Sequence, residues 1–473
     1  MPKSKKNKRR KPKLLTQDKS RKKIEAPAVP SDQSLAATRA MLVKEPGKAK
    51  HYLDLSALEA AAGNVDNAAQ VLRNGVDNCL QDANLPAQLA IMFARSGRAD
   101  LAPDAFAVAL AREDLPWIRR QAAFYQTQLG EFDQADRTLK LHLEGDADDV
   151  ESLFVRALLR FAEGRYEEAW ADYRYRWQVK GFFSPPKRTA KPAWSGEAVD
   201  RLLVWREQGI GDEIQFLRFL CSLSGKAQSV LYEGDPRLTG LLKRSFPDVD
   251  VQPIQNGDLL PNAVPDSAFD SQVPLGDVAL ALGGVGFGTA APYLVANEEV
   301  TRKLGQQFKE TFKGKKLIGL AWFSKNVEHG HGRSLDLKNL LPVISLPGYE
   351  FVSVQYGEVA DLLKTFHQET GHAIRNFTGV DLYNQIDHSC SVLCALDGLI
   401  TIDNTTAHLA GALGVPTALL LPKAADWRWH CPTSKGNGRI YKSHHLYRQS
   451  DQGQWGDPVA ALEQSMDELF QRE

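Results

Sequence analysis

The chain has 473 residues, of which 43% are hydrophobic and 25% charged, with 58 basic and 58 acidic side chains. Its length exceeds what one hydrophobic core usually organises, so we expect two or three domains. The five cysteines are scattered and form no CxxC pair, which argues against a disulfide framework or a structural zinc site.

The amino terminus is strongly basic. Residues 1–23 hold 12 Lys and Arg and one acidic residue, which leaves a net charge of −11 on the rest of the chain. Such a segment can bind nucleic acid or an anionic membrane surface, but a block of like charge is more often a disordered, solvated arm. We favour that interpretation for residues 1–34 and expect no nucleic-acid partner.

No apolar segment of signal-peptide type follows the basic residues, so a cytoplasmic protein is expected. The longest weakly polar stretch, residues 278–296, contains four glycines and a proline and makes a poor membrane span. It is better interpreted as a Gly-rich loop between packed elements.

A repeat of 33 or 34 residues occupies the first half of the chain. Its glycines are Gly63, Gly97, Gly130 and Gly164. Five residues after each comes an alanine, at Ala68, Ala102, Ala135 and Ala169. Each unit predicts two helices joined by a turn at the glycine, with the alanine allowing close helix packing.

This pattern resembles the tetratricopeptide repeat over residues 35–180 and predicts an α solenoid. Such solenoids usually bind a peptide or a protein. The alternative is that the repeats only brace or dimerise the rest of the chain.

Residues 181–200 carry several prolines and no apolar period, as an ordered linker does. Apolar strands then alternate with helical segments. The predicted strands are "RLLVW" (201–205), "SVLYEG" (229–234), "KLIGLAWF" (316–323), "EFVSVQYG" (350–357), "GLITI" (398–402) and "TALLLP" (417–422). The predicted helices include "IQFLRFL", "DPRLTGLLKRSF", "LKNLLPVISLP" and "LYNQIDHSCSVLCAL".

This alternation predicts an α/β fold with parallel sheets covered on both faces. The Gly-rich 280s separate two sets, so we expect two doubly wound halves, residues 201–300 and 301–473, facing each other across a cleft. Ligands of such folds bind at the carboxyl ends of strands, where helix amino termini present amide hydrogens.

Two turns occur at such strand ends. In "EQGIGDE" (207–213), Gly209 and Gly211 allow close backbone approach and Asp212 stands at the start of a helix. In "TIDNTTAHLAGALGVP" (401–416), polar side chains crowd the start of a small-residue helix: Asp403, Asn404, Thr405, Thr406 and His408. Helix capping explains one such residue but not five, so a binding site is favoured over a purely structural turn.

Six motifs in this order resemble the glycosyltransferase domain, related to bacterial heptosyltransferases, that follows tetratricopeptide repeats in bacterial proteins. They are "WREQGIGDEIQFLRFL", "GLAWFS", "GRSLDL", "FVSVQYG", "IDNTTAHLAGALGVPTALLLP" and "DWRW", and the resemblance covers residues 194–450. It implies a GT-B fold of two Rossmann-like halves, a nucleotide-sugar donor, inversion at the anomeric carbon, and no required metal or other cofactor.

The resemblance also implies roles for particular residues. Asp212 corresponds to the candidate general base. The implied donor-binding set is Gly209, Gly211, Ser324, Arg333, Asp403, Asn404, Thr405, Thr406 and His408. Heptosyltransferases favour Thr-Gly where this chain has Asn404 and Thr405, which disfavours ADP-heptose as the donor.

Two further segments have simpler interpretations. Arg428 lies between two tryptophans in "DWRW", where we expect packing first and a cleft wall second. His329 and His331 form a possible metal pair, but their flanking glycines favour a mobile loop.

The sequence therefore predicts a cytoplasmic glycosyltransferase whose repeats hold a protein acceptor, because proteins of this architecture include ones that glycosylate flagellin. Two alternatives stay open: a non-catalytic repeat scaffold with a degenerate transferase-like domain, and a transferase acting on lipopolysaccharide.

Overall fold

The computed structural model describes residues 31–182, 184, 186–254, 264–288, 291–324, 330–377, 380–430 and 438–471, and only the backbone of 330 and 331. The basic residues 1–23, His329, Cys431 and the side chain of His331 lie outside the described residues. The chain divides into two compact units, Met1–Asn78 and Cys79–Glu473.

The first unit contains three helices. They are α1 (Asp32–Lys44), α2 (Ala49–Ala61) and α3 (Val65–Asn78). Helix α1 begins inside the stretch predicted to be a disordered tail, and Ser31 caps it by accepting a hydrogen bond from the amide of Ser34 at 3.2 Å. Helices α2 and α3 pack as a pair around the turn at Gly63.

The second unit begins with six more helices. They are α4 (Asn84–Arg95), α5 (Ala102–Arg112), α6 (Pro116–Leu129), α7 (Phe132–Leu143), α8 (Val150–Glu163) and α9 (Tyr166–Tyr173). They pack as the consecutive pairs α4–α5, α6–α7 and α8–α9, with α6 also against α5 and α8.

The repeat pattern read from the sequence is confirmed at every position. The four turn glycines have φ between +77° and +84°, the left-handed conformation that favours glycine. The four alanines are fully buried, because a larger side chain there would separate the paired helices.

The first α/β half has a four-stranded sheet. Its strands are β1 (Val199–Trp205), β2 (Ala227–Gly234), β3 (Val249–Pro253) and β4 (Ser271–Pro274), and its helices are α10 (Ile210–Phe216), α11 (Thr239–Ser245) and α12 (Val278–Ala281). The strand order is β3-β2-β1-β4 and all pairs are parallel. Strands β2 and β3 lie on one side of β1 and β4 lies on the other, so the order in which strands are added to the sheet reverses at β1.

The second half has a six-stranded sheet with the order β10-β9-β8-β5-β6-β7, again with every pair parallel. Its strands are β5 (Lys316–Ala321), β6 (Tyr349–Ser353), β7 (Arg375–Asn376), β8 (Gly398–Ile402), β9 (Thr417–Leu421) and β10 (His444–Arg448). Its helices are α13 (Glu298–Thr311), α14 (Gly330–Arg333), α15 (Leu341–Ile344), α16 (Ala360–Thr370), α17 (Ile386–Ala395), α18 (Thr405–Leu413) and α19 (Gly456–Leu469). Strands β6 and β7 lie on one side of β5 and strands β8 to β10 on the other, so the strand order reverses between β5 and β8.

The predicted fold class, helical repeats followed by two parallel α/β halves, is thus confirmed, with local differences. The segment "IQFLRFL" is α-helical only to Phe216 and continues as a 3-10 helix to Leu223. The segment "LKNLLPVISLP" forms a 3-10 helix and the four-residue α15, because Pro342 has no amide hydrogen to extend a longer helix. Strands β3, β4, β7 and β10 were not predicted.

The last repeat helices share one apolar core with both α/β halves. Phe161 of α8 stacks on Trp427 at 4.6 Å between ring centroids, and the indole of Trp170 donates to the carbonyl of Val285 at 2.8 Å. The fully buried Arg176 donates to Glu207 at 2.7 and 2.8 Å, directly before the first candidate turn. The repeat helices from α8 onward therefore pack directly against the α/β halves.

Candidate active site

The first turn follows β1 and is held in a strained conformation. Gln208 has a φ of +60° and is the only non-glycine residue with a positive φ among the described residues. Its side-chain amide donates to the hydroxyl of Tyr173 at 2.8 Å and its backbone amide donates to Ser184 Oγ at 3.0 Å. The last repeat helix thereby fixes the turn that leads into α10.

Asp212 is the third residue of α10 and closes this turn. Its Oδ2 accepts a hydrogen bond from the amide of Gly209 at 3.1 Å, and its Oδ1 is paired with the guanidinium of Arg428. About a fifth of the side chain, 21%, is exposed. The carboxylate is therefore positioned by the protein and still reachable.

Burial raises the pKa of Asp212 above its ordinary value, and the charge of Asp426 raises it further. Arg428 opposes the rise only in part, because it also donates to Asp426 at 2.8 Å and to Gln215 at 2.6 Å. Arg428 additionally stacks on Trp427 at 4.5 Å, so it packs as the sequence suggested and also binds the candidate base.

The second turn follows β8, with Asp403 directly after the strand. Arg333 of α14 donates to its Oδ2 at 2.6 Å, and 12% of the Asp403 side chain is exposed. Burial alone would raise the pKa of Asp403, but the positive charge of Arg333 and the other polar groups around the carboxylate together outweigh burial and lower it. Asp403 therefore stays an anion.

Asn404 caps α18. Its Oδ1 accepts from the amide of Ala407 at 3.0 Å and from Thr401 Oγ1 at 3.3 Å. Its Nδ2 is buried and has no hydrogen-bond partner among the described residues. The amides of Thr405 and Thr406, the first two of the helix, also donate no hydrogen bond within the described part of the chain. These donors face the region that an anion would occupy at a helix amino terminus.

His408 is buried behind this helix start. Its Nδ1 lies 3.0 Å from the hydroxyl of Tyr441, and its ring packs on Trp429 at 5.3 Å. Burial, with the nearby charge of Arg428, lowers the pKa of His408 to about 3, so the imidazole is neutral at physiological pH. It can donate or accept one hydrogen bond through Nε2 but cannot supply charge.

The two turns lie against each other. A methyl group built on Gly211 would lie 3.1 Å from His408 Cδ2, and α10 packs on α18. The charge of Asp403 is near enough to contribute to the raised pKa of Asp212. Both turns follow strands at which the strand order of the sheet reverses. Ligands of open α/β sheets bind at such switch points.

Ser324 follows β5, the strand beside β8. Its amide donates to Ser334 Oγ at 3.0 Å, and the preceding amides of Trp322 and Phe323 donate to Gln355 at 2.9 and 3.0 Å. The structure thus places Ser324 at the same sheet edge as Asp403. Its contact with a donor stays a prediction.

Two cavities lie around the second turn. Thr405 and Thr406 line one of them, and Arg333 and Asp403 line the other. The first, here the tyrosine cavity, is lined by Tyr356, Tyr383, Ile210, Arg237, Thr405 and Thr406. The second, here the polar cavity, is lined by Arg333, Asp403 and Asp426 together with repeat residues of α4 and α6. Successive residues of a helix start point about 100° apart, so one turn supplies side chains to both.

Sequence reasoning did not assign Arg428 to Asp212 or Tyr441 to His408. The "DWRW" motif was a visible signal, but its partner lies 216 residues away in the chain. In the part of the chain that the structure describes, no group of three or more His, Cys, Asp or Glu side chains is arranged to hold a metal ion. None of the helices described here is both long and apolar enough to cross a bilayer.

Comparisons with known proteins found a relative along most of the chain. FlbA of Caulobacter vibrioides is 28% identical over 418 residues, which cover 85% of this chain and 67% of FlbA. No protein-family model matches the sequence.

Several solved structures match part of the chain at low identity. A family 9 glycosyl transferase from Veillonella parvula covers 59% of this chain and 92% of its own length at 14% identity, with a TM-score of 0.40. The E. coli ADP-heptose heptosyltransferase II covers 57% and 98% at 15% identity, with a TM-score of 0.39. MamA covers 30% and 83% at 17% identity, with a TM-score of 0.27.

Proposed function

We propose that this chain is an inverting, metal-independent glycosyltransferase that moves a sugar from a nucleotide-sugar donor to a protein acceptor, flagellin. The observation that carries the proposal is the pairing of two aspartates in one site. Asp212, with its raised pKa, is suited to take up a proton, whereas Asp403 is held as an anion.

In this proposal Asp212 removes the proton from an acceptor hydroxyl as that oxygen attacks the anomeric carbon. The new carbon–oxygen bond forms on the face opposite the leaving phosphate, and the bond to the phosphate oxygen breaks with its electron pair. One displacement without a covalent intermediate inverts the anomeric centre. Arg428 keeps the base oriented and partly ionised before the acceptor binds.

The leaving phosphate binds at the start of α18. The amides and hydroxyls of Thr405 and Thr406, with Asn404 Nδ2, offer hydrogen bonds, and the helix dipole favours negative charge there. These groups supply the electrostatic stabilisation that a metal provides in other transferases. Neutral His408 supports the helix start from behind and offers Nε2 to a donor oxygen.

The remaining parts of the donor bind on either side of this helix start. The tyrosine cavity, with Tyr356, Tyr383 and Arg237, suits a nucleobase and ribose, because aromatic faces stack on bases. Asp403, directly after β8, accepts hydrogen bonds from sugar hydroxyls through its anionic carboxylate. Gly209 and Gly211 keep the first turn close to the sugar.

The repeats would then hold the acceptor, and we propose that the reaction takes place in the cytoplasm. Four described cysteines, Cys79, Cys221, Cys390 and Cys394, are free thiols, as is usual in a reducing compartment.

A thermal-shift screen of CMP-, UDP-, GDP- and ADP-sugars tests the proposal. One donor class should raise Tm selectively, since a ligand at a hundred times its Kd stabilises a protein by about 2.7 kcal/mol. The free nucleotides serve as controls, because the difference between their Tm shift and that of the nucleotide sugar is the contribution of the sugar. A flat response to all four classes, together with no sugar transfer from any of them, would favour the non-catalytic scaffold.

A further inference from the structure

The polar cavity has one wall made by the repeats. Arg95 of α4 and Phe124, Tyr125 and Gln128 of α6 line it, opposite Asp403 and Asp426 of the second α/β half. The catalytic turns and the repeat helices therefore border one space. No residue of this repeat wall was among the predicted site residues.

The repeat wall is fixed to the second half by the repeat turns themselves. A methyl built on Gly97 would lie 4.0 Å from the Cα of Gly332, and one on Gly130 would lie 3.8 Å from the His430 ring. The amide of Ala425 donates to the carbonyl of Gln128 at 3.0 Å, and Phe132 packs edge-on against His430 at 5.2 Å. Helices α4 and α6 are thus held in register with the site.

The chemistry of the repeat wall matches a polypeptide. The half-buried side-chain amide of Gln128 lines the cavity and offers both donors and an acceptor, as a peptide backbone does. Phe124 is half-buried, and Arg95 is exposed on α4. Arg95 and Arg333 are balanced by Asp403 and Asp426, so the cavity has no excess positive charge for the phosphates of a lipopolysaccharide.

We propose that the polar cavity is the acceptor subsite and takes an extended segment of flagellin, with a Ser or Thr hydroxyl directed at Asp212. Asp212 is a neighbour of this cavity, because Asp426 in the cavity wall and Asp212 are both paired with Arg428. The inference rests on the proposed transferase function. It adds that the repeats form part of the acceptor site at the chemistry, where Gln128 and Arg95 determine acceptor specificity.

The test uses the full-length chain with purified flagellin and the donor found in the thermal-shift screen. Gln128→Ala and Arg95→Ala should each raise the KM for flagellin about fivefold to tenfold, the size of one lost hydrogen bond or charged contact. Donor Kd and the slow hydrolysis of the donor by water, measured without flagellin, should stay at wild-type values. Arg137→Ala, at an exposed arginine of α7 away from the cavity, is the matched control and should change nothing.

The outcomes separate the two proposals. If the wild type neither binds nor hydrolyses any nucleotide sugar, the transferase function itself fails. If it hydrolyses donor but does not modify flagellin, or modifies lipopolysaccharide instead, the acceptor subsite is wrong. Unchanged KM values in both variants, with flagellin modified normally, would also overturn the inference.

Discussion

Asp212 and Asp403 belong to the two turns that follow strands of the two α/β halves, and yet they differ in their chemistry. Each turn follows a strand at which the strand order of its sheet reverses. Each aspartate is paired with one arginine from a distant segment of the chain. Burial dominates at Asp212 and raises its pKa, because Arg428 is shared with Asp426 and Gln215. At Asp403 burial also acts to raise the pKa, but the charge of Arg333 and the other polar groups around the carboxylate together outweigh it and lower the pKa. The balance between burial and the surrounding charges thus raises the pKa of one aspartate and lowers that of the other.

The strongest test of this difference exchanges each carboxylate for its amide. Asp212→Asn should lower the transfer rate by roughly 10²- to 10⁴-fold while donor Kd stays unchanged, because only the proton acceptor is lost. Asp403→Asn should weaken donor binding by roughly tenfold or more, because an anionic acceptor and the partner of Arg333 are both lost. Calorimetric titration with the nucleotide sugar and single-turnover transfer measure the two effects separately.

Asp361→Asn is the matched control, since this exposed aspartate lies in the first turn of α16 in the same half as Asp403. It should change neither quantity. If the two site variants showed the same pattern of defects, the assignment of separate roles would be wrong.

A smaller effect is expected when the arginine of the base is removed. The acid limb of kcat/KM reports the deprotonation of Asp212, so activity should rise with pH through a pKa above the ordinary value of about 3.9. Arg428→Gln removes the charge that opposes burial, which raises the pKa of Asp212 further. The acid limb should then move to higher pH by roughly one pH unit.

Arg428→Lys retains the positive charge and should leave the limb near its wild-type position. A uniform loss of rate at every pH in Arg428→Gln, without displacement of the limb, would show that Arg428 acts only through packing.

The smallest effect tests the contact between the two turns. Gly211→Ala places a methyl 3.1 Å from the buried His408 ring, which Trp429 and Tyr441 hold in place, so we expect a loss of about 1 kcal/mol of stability and a several-fold lower kcat. Gly305→Ala, in the interior of α13 with open space around it, should instead stabilise the chain by about 0.5–1 kcal/mol. Equal Tm changes of the same sign, measured calorimetrically, would argue against a close approach of the two turns.

Much of the fold could be predicted because its signals are local. The turn glycines and buried alanines recur every 33 or 34 residues, and strands such as β8 are continuous apolar runs. Strand β7 has two exposed residues, and β10 is "HHLYR", so neither has an apolar pattern to find. Helix α13 did carry a signal, Asn297 as cap followed by two glutamates in the first turn.

For the candidate site, the sequence indicates single residues but not the contacts between them. Asp212 and Asp403 stand out because they follow apolar strands, but the arginines that set their pKa values come from distant loops. The division of the second turn between two cavities depends on side-chain directions, and the repeat wall depends on how α4 and α6 pack against the second half. None of these relations has a counterpart in sequence spacing.

The most direct test of one shared site is an experimental structure with a non-transferable nucleotide-sugar analogue. We predict its phosphate at the first amides of α18, its base in the tyrosine cavity, and its anomeric carbon within roughly 6 Å of an Asp212 oxygen, two successive contacts of about 3 Å. A nucleotide bound elsewhere, or an anomeric carbon directed away from Asp212, would contradict the proposal that these two turns perform the transfer.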